Sequence, residues 1–218
     1  MIKEQFEQLT EVEIIDRILN GEKPLYEIIV RRFNSYLYKI GRSYNYNHED
    51  TQDLMQDTYI DAFKCLTQFK HGSSFKTWII RIMLNNCYRK KMKFSFKKET
   101  VNEIINENVM PMFNNSNNDV QKEIFSHELG KIIEASLLRI PEEYRMVFSL
   151  REINGLNVAE TSSLLDISEA NVKVRLNRAK AMLRTEIEKT YSPEELFEFN
   201  LCYCNPFTER VMKKIHEL

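Results

Sequence analysis

From Leu137 to Ile187 apolar residues recur every three or four positions, interrupted only at short polar breaks. The last stretch places Val172, Leu176, Ala179, Leu183 and Ile187 on one stripe, the spacing of a helix that buries one side. Lys173, Asn177, Lys180 and Arg184 share another face, flanked by Arg175 and Arg178. Before it, Pro141 suits a helix start, where its missing N–H costs nothing. Asn157 followed by Glu160 forms a cap for the next helix, and Ser168 can cap the last one after the turn Asp166-Ile167-Ser168. The N-terminal half shows the same period. Thr10-Glu11-Val12-Glu13 reads as a capping box for a helix ending near Asn20-Gly21. A second helix is expected from about Pro24, carrying Leu25, Ile28, Ile29, Phe33, Leu37 and Ile40 and stopping at Gly41. A third runs from about His48 to Leu66, and a fourth from near Ser74 to about Phe94. The pattern predicts an all-α protein.

The helical period fades between Lys97 and about Lys122, where Asn102, Asn106, Asn108, Asn114, Asn115, Asn117 and Asn118 gather around Pro111. Such a segment cannot bury enough apolar surface to form a core of its own. Ile124, Phe125, Leu129, Ile132, Ile133 and Leu137 then open a fresh apolar pattern. Two helical domains, 1–96 and 123–190, are expected on either side of a flexible linker, 97–122, with a C-terminal extension over 191–218.

Only five Gly and five Pro in 218 residues strengthen the all-helical expectation. The formal net charge of −1 argues against an indiscriminate coat for nucleic acid, but the charges are unevenly spread. Between Lys76 and Lys98 stand Lys76, Arg81, Arg89, Lys90, Lys91, Lys93, Lys97 and Lys98 without one acid, whereas Glu49, Asp50, Asp53, Asp57 and Asp61 crowd one earlier segment. Two partners of opposite charge are expected. The four cysteines, Cys65, Cys87, Cys202 and Cys204, are too scattered for a disulfide framework, and the opening Met1-Ile2-Lys3-Glu4 lacks an apolar leader. No apolar run reaches the length of a membrane span, so a cytoplasmic protein without membrane insertion is expected. Glycine-rich phosphate loops, nucleophile motifs and His–carboxylate metal sets are missing, so no enzyme activity, cofactor or metal is expected. Cys202-Tyr203-Cys204 alone is a weak metal signal.

The last two helices form a helix-turn-helix with a basic outer face, of a size that fits the DNA major groove; an ordinary helical hairpin with a solvated face is the plainer alternative. More specific residues lie upstream: Asp50-x-x-Asp53-Leu54-x-Gln56-Asp57-x-Tyr59-x-x-Ala62, then Phe69, Gly72-Ser73-Ser74-Phe75, Thr77-Trp78, Arg81-Ile82, Asn85 and Arg89. This series resembles region 2 of the extracytoplasmic-function (ECF) sigma factors of bacterial RNA polymerase. Ile140-Pro141, Leu150-Arg151-Glu152, Gly155-Leu156 and Val172-Lys173-x-Arg175-Leu176-x-Arg178-Ala179 resemble their region 4. The two matches occur in the family's order and cover roughly residues 20–190.

The resemblance implies a promoter-specific initiation factor that binds core RNA polymerase through the clamp helices of its largest subunit and the flap of the second largest. It assigns the first contact to Asp50, Asp53, Leu54, Gln56 and Asp57. Asp53 and Asp57 are four apart with Gln56 beside them, so acids and an amide share one helix face. Capture of the −10 single strand falls to Lys70, His71, Ser73, Ser74, Phe75, Lys76, Trp78, Arg81, Asn85 and Arg89, a mixture of cations for phosphate and aromatic groups for bases. Trp78, between Thr77 and Ile79, fits a core position at least as well as a base platform. The −35 duplex falls to Arg151, Asn171, Lys173, Val174, Asn177 and Arg178. Thr161-Ser162, Ala170-Asn171 and Val174 depart from the family pattern, which puts the −35 sequence preference in question. An anti-sigma protein or another regulator is a further partner under this resemblance. A polymerase-independent repressor or activator, and a sigma-like module recruited by another protein, are the competing readings. The tail residues Phe197, Phe199, Val211, Met212 and Ile215 either fold back onto region 4, the favoured expectation, or present an apolar surface to a partner.

Overall fold

The computed structural model describes residues 9–97, 130–189 and 201–217, with side chains over 9–93, 130–189 and 207–217. Every regular element among the described residues is helical: α1 (Glu11–Leu19), α2 (Tyr26–Ser43), α3 (His48–Lys64), α4 (Phe75–Lys97), α5 (130–138), α6 (Glu142–Phe148), α7 (Val158–Leu165), α8 (Glu169–Glu188) and α9 (Leu201–His216). Short 3-10 turns, Lys23–Leu25 and Leu66–Gln68, punctuate the first half, and a π-helical turn, Ser149–Ile153, continues α6.

Local chemistry sets most helix starts. The Thr10 hydroxyl accepts from the Glu13 N–H at 3.3 Å while the Glu13 carboxylate accepts from the Thr10 N–H at 2.8 Å. Asn157 and Glu160 make the same reciprocal pair at the head of α7, both at 2.8 Å. Ser168 caps α8 by accepting from Asn171 N–H at 3.2 Å, and Asn47 caps α3 by accepting from Asp50 N–H at 2.7 Å. Each satisfies a backbone donor that the first helical turn leaves open.

Several expected boundaries shift. Helix α2 does not stop at Gly41 but runs on to Ser43. The glycine is there for closeness: a Cβ at position 41 would stand 2.6 Å from Thr51 Cγ2, so α2 and α3 touch at this point. Helix α3 ends at Lys64, and the 3-10 turn after it tucks Leu66 into the core. Helix α4 continues three residues past Phe94 to Lys97. Pro141 occupies the cap position, with Glu142 the first helical residue.

Helices α1–α4 form one bundle around Ile14, Ile29, Phe33, Leu37, Leu54, Phe75, Ile79 and Met83, all buried. In the second bundle α8 packs on α6 and α7, with Val147, Val172 and Ala179 fully buried. Thr161, which makes the inner side of α7 more polar, is also fully buried; its hydroxyl donates to the Asn157 carbonyl at 2.9 Å, so it leaves no orphaned group.

The two bundles are packed together. Met146, Leu150 and Leu156 belong to the same buried cluster as the α1–α4 core, and α2 packs against α6 and the π turn while α4 meets α7. Buried polar bonds knit the contact. Ser43 donates its hydroxyl to Ser149 Oγ at 2.7 Å. The buried Arg145 donates from Nε to the Ser43 carbonyl at 2.6 Å and from one terminal nitrogen to the carbonyls of Leu138 and Ile140, each at 2.9 Å. Arg42 pairs with Glu134 at 2.9 Å in a site mostly withdrawn from water, and Lys91 pairs with Glu142 at 2.8 Å at the surface.

The expected linker lies outside the described residues apart from the backbone of Lys97, as do Ile124, Phe125 and Leu129. Phe197 and Phe199 lie outside them too, and so do the side chains of Cys202 and Cys204. The fold-back expected of the tail is not what α9 shows: Val211, Met212 and Ile215 are exposed. Its stripe faces water at the positions described. No helix among the described residues is long and apolar enough to cross a membrane.

Candidate nucleic-acid interface

Asp53, Gln56 and Asp57 lie on the outer side of α3, all exposed. Neither aspartate takes part in an ion pair among the described residues, which leaves a compact anionic face. Beside it, Val30, Tyr38, Met55, Gln56, Tyr59 and Ile60 line a shallow groove of about 650 Å³ between α2 and α3. Two of the five residues assigned to this face behave differently. Leu54 is 4% exposed, so it holds α3 in the bundle rather than meeting a partner. Asp50 is bound at 2.5 Å to Lys90 of α4.

That last pair brings the acidic and basic segments into contact with each other. Asp61 likewise meets Arg89 at 3.4 Å. The acidic segment of α3 and the far end of the basic helix α4 run side by side, and part of each charge is spent on the other. Asp53 and Asp57 are left on one side.

The loop before α4 presents Lys70, His71 and Ser73, all exposed, with His71 in the left-handed conformation at φ 54° and its ring 4.6 Å from that of Phe69. Ser74 caps α4, accepting from Thr77 N–H at 3.1 Å. Phe75 is 1% exposed and belongs to the core, because the first turn of α4 inserts it against Phe33 and Phe69. It anchors the loop and cannot stack on a base from there. Trp78 is half-buried, its ring 5.3 Å from both Phe69 and Phe75. Asn85 is exposed, whereas Arg89 is exposed but tied to Asp61 and Asn86.

Lys76, Thr77 and Arg81 point to the second bundle. The Lys76 ammonium donates to the Asn154 carbonyl and sits over the Tyr36 ring, 4.1 Å from its centre. Burial pulls this ammonium below lysine's usual pKa, with the Glu160 carboxylate opposing the shift. Thr77 donates its hydroxyl to Glu160 at 2.7 Å, and Arg81 donates to the Ser163 hydroxyl at 2.8 Å.

The outer face of α8 is open. Asn171, Lys173, Val174, Asn177 and Arg178 are all exposed, with Val174 at 46% despite being apolar. Arg151 is the exception among the residues assigned to −35 DNA. Its guanidinium turns inward to the Leu156 carbonyl, and its Nε is buried without a hydrogen-bond partner. In this arrangement it closes the turn before α7 and is not presented to a duplex.

The helical bundle with an acidic face, a basic helix and a helix-turn-helix beyond it can be set beside known proteins. The family model for Sigma-70 region 2 matches residues 29–93, and that for Sigma-70, region 4 matches residues 131–183, together more than half of the chain. The chain belongs to the sigma-70 family. The region 2 match runs from within α2 into α4, and the region 4 match from α5 into α8. The ECF RNA polymerase sigma-E factors of Haemophilus influenzae and Escherichia coli K12 are each 24% identical to it over 84% of this chain, covering 97% and 96% of their own lengths. Two solved structures share the fold, both with a TM-score of 0.59. CnrH in complex with the cytosolic domain of CnrY is 21% identical, covering 82% of this chain and 97% of that one. The sigma factor RpoE in complex with the anti-sigma factor NepR, from Bartonella quintana, is 20% identical and covers 75% and 95%.

Sequence reading missed the residues that join the two regions: Arg42, Ser43, Glu134, Arg145, Ser149 and Glu160. One signal was present. Arg145 interrupts an apolar run between Tyr144 and Met146-Val147-Phe148, and a cation in the buried register of a helix must find several acceptors.

Proposed function

We infer that this chain is an ECF-type sigma factor: it binds core RNA polymerase, directs promoter-specific initiation and is itself no enzyme. The observation that carries the reading is the presence of both sigma-70 regions in order, with an unpaired acid-amide face on one and an exposed basic recognition helix on the other. Asp53, Gln56 and Asp57 serve as the polymerase-docking face, and the neighbouring groove accepts apolar side chains of the same partner. A basic clamp helix complements such a surface in charge and in shape. Lys70, His71, Ser73, Lys76, Trp78, Arg81 and Asn85 form the −10 strand surface. Asn171, Lys173, Val174, Asn177 and Arg178 meet the −35 duplex, where Asn177 suits an adenine edge and Arg178 a guanine. The work is cytoplasmic, where polymerase and promoter are, and an anti-sigma protein is a fitting regulator, as for the relative bound to NepR.

Co-purification with core polymerase in the absence of DNA, followed by run-off transcription over a promoter library, tests the reading. A sigma factor binds core and restores specific initiation. A protein that binds promoter duplex but never core polymerase would instead be an independent repressor or activator.

A further inference from the structure

We propose that Val174 reads a thymine of the −35 duplex through its 5-methyl group, one or two base pairs from the base that Arg178 meets. The inference rests on the −35 assignment of α8 above. Single apolar side chains in water are common on proteins, so exposure alone says little. The place of this one says more. At about 100° per residue, Val174 lies on the side of α8 opposite Val172 and Ala179, which are fully buried. Ala170 and Asn171 stand one turn before it, Asn177 and Arg178 one turn after, and all four are exposed. Val174 is therefore the middle of the face that a major groove would receive, with Lys173 at its edge. At 46% exposure it is also the only large apolar side chain so open among the described residues of the second bundle.

The middle of a recognition helix meets base edges, whereas its flanks meet phosphates. The donors and acceptors that base pairs show in the major groove are joined by one methyl group, that of thymine. An isopropyl group set over a donor or acceptor removes its water and returns no hydrogen bond, which lowers affinity. Set over the thymine methyl, it takes apolar surface of both partners out of water. Branching at Cβ holds the valine in largely one rotamer on a helix, so little freedom is lost in the contact. Ala170, one turn back, is too small to crowd the methyl. A helical turn rises about 5.4 Å and a base step about 3.4 Å, which puts this thymine one or two pairs from the base at Arg178.

Removing that methyl alone tests this. Holoenzyme is assembled from the full chain and core RNA polymerase, and run-off transcription over a promoter library gives the preferred −35 element. Synthetic promoters then carry 2′-deoxyuridine in place of each −35 thymine in turn, on either strand. Equilibrium promoter binding is expected to weaken about fourfold at one thymine, the worth of one buried methyl. That thymine should lie within two base pairs of the position whose preference Arg178→Ala relaxes. Val174→Ser holoenzyme is expected to bind the thymine and uracil promoters alike, while Val174→Ile keeps the difference. A preferred element without thymine, or equal binding of uracil at every position, overturns the proposal and leaves the sigma reading intact. So does a uracil effect that survives Val174→Ser or falls outside the two-pair window. No initiation on any promoter removes the sigma reading, and the proposal falls with it.

Discussion

Asp53 and Asp57 on α3 stand in solvent without ion partners among the described residues, while Lys76 and Arg81 on the adjacent α4 are spent on region 4. The two faces belong to one bundle, so their place in the fold does not separate them. Reach does. Aspartate side chains are short and the neighbouring turn of α3 offers them no cation. Lysine and arginine carry their charge on long stems that cover apolar surface and find acceptors across a gap. An exposed acidic face therefore waits for a partner at little cost, and its attraction weakens as salt rises. The basic face has already found acceptors inside the chain.

Mutations can break this contrast. The largest effect is expected from Asp53→Ala combined with Gln56→Ala, which should reduce core-polymerase affinity at least about a hundredfold in a fluorescence titration. Both side chains are exposed, so unfolding free energy should move by less than about 0.5 kcal/mol. Retained affinity in the folded double variant would remove the face from the docking surface. Next comes Arg145→Met, which orphans the carbonyls of Ser43, Leu138 and Ile140 together. Thermal or urea unfolding should show a loss of about 3 kcal/mol. A loss under about 1 kcal/mol would mean that water replaces the guanidinium and that the regions are only loosely joined.

Gly41→Ala should cost about 2 kcal/mol, because the new methyl overlaps Thr51 and a well-packed crossing yields poorly. Adding Thr51→Ala removes the two nearest of the three atoms in the way, leaving only the flexible end of Met83 at 3.2 Å, and the double variant should recover most of the loss. Additive effects would show that the crossing is not where the strain arises. The smallest effect belongs to α8. Lys173→Ala should weaken duplex binding for all sequences alike, with a salt dependence shallower by about one ion. An unchanged salt slope would place Lys173 away from the phosphates.

What could be seen in the residues alone follows the distance over which each interaction acts. Thr10–Glu13, Asn157–Glu160 and Ser168–Asn171 are three residues apart, so their caps were plain from spacing, and so was the helical period of Val172 to Ile187. Gly41 misled because its partner, Thr51, lies on another helix: glycine reads as a stop until something is known to press against it. Leu54 and Phe75 sit inside motifs that belong to exposed surfaces, yet their register turns them inward. The pairing of Asp50 and Asp61 with α4 crosses 40 and 28 positions, and Lys76, Thr77 and Arg81 find partners 78, 83 and 82 positions away. No window along the chain contains both ends of such a bond. Open faces were therefore legible, and covered ones were not.

The π-helical turn at Ser149–Ile153 has a consequence for how this chain tolerates change in length. The bond from Asn154 N–H to the Ser149 carbonyl, 2.9 Å, spans five residues instead of four, so the turn accommodates one residue more than an α-helix would. Each helical residue advances the chain by about 100° around the axis. Loss of a single residue there would let the turn rewind as ordinary α-helix and swing everything after it by that angle. The Asn154 carbonyl would leave Lys76, and α7 would approach α4 with a different side. Insertions and deletions within these five residues would thus act as a rotary setting inside region 4: they would turn α7 and α8 against α6, on which α8 packs, and change which surface of region 4 is turned toward region 2.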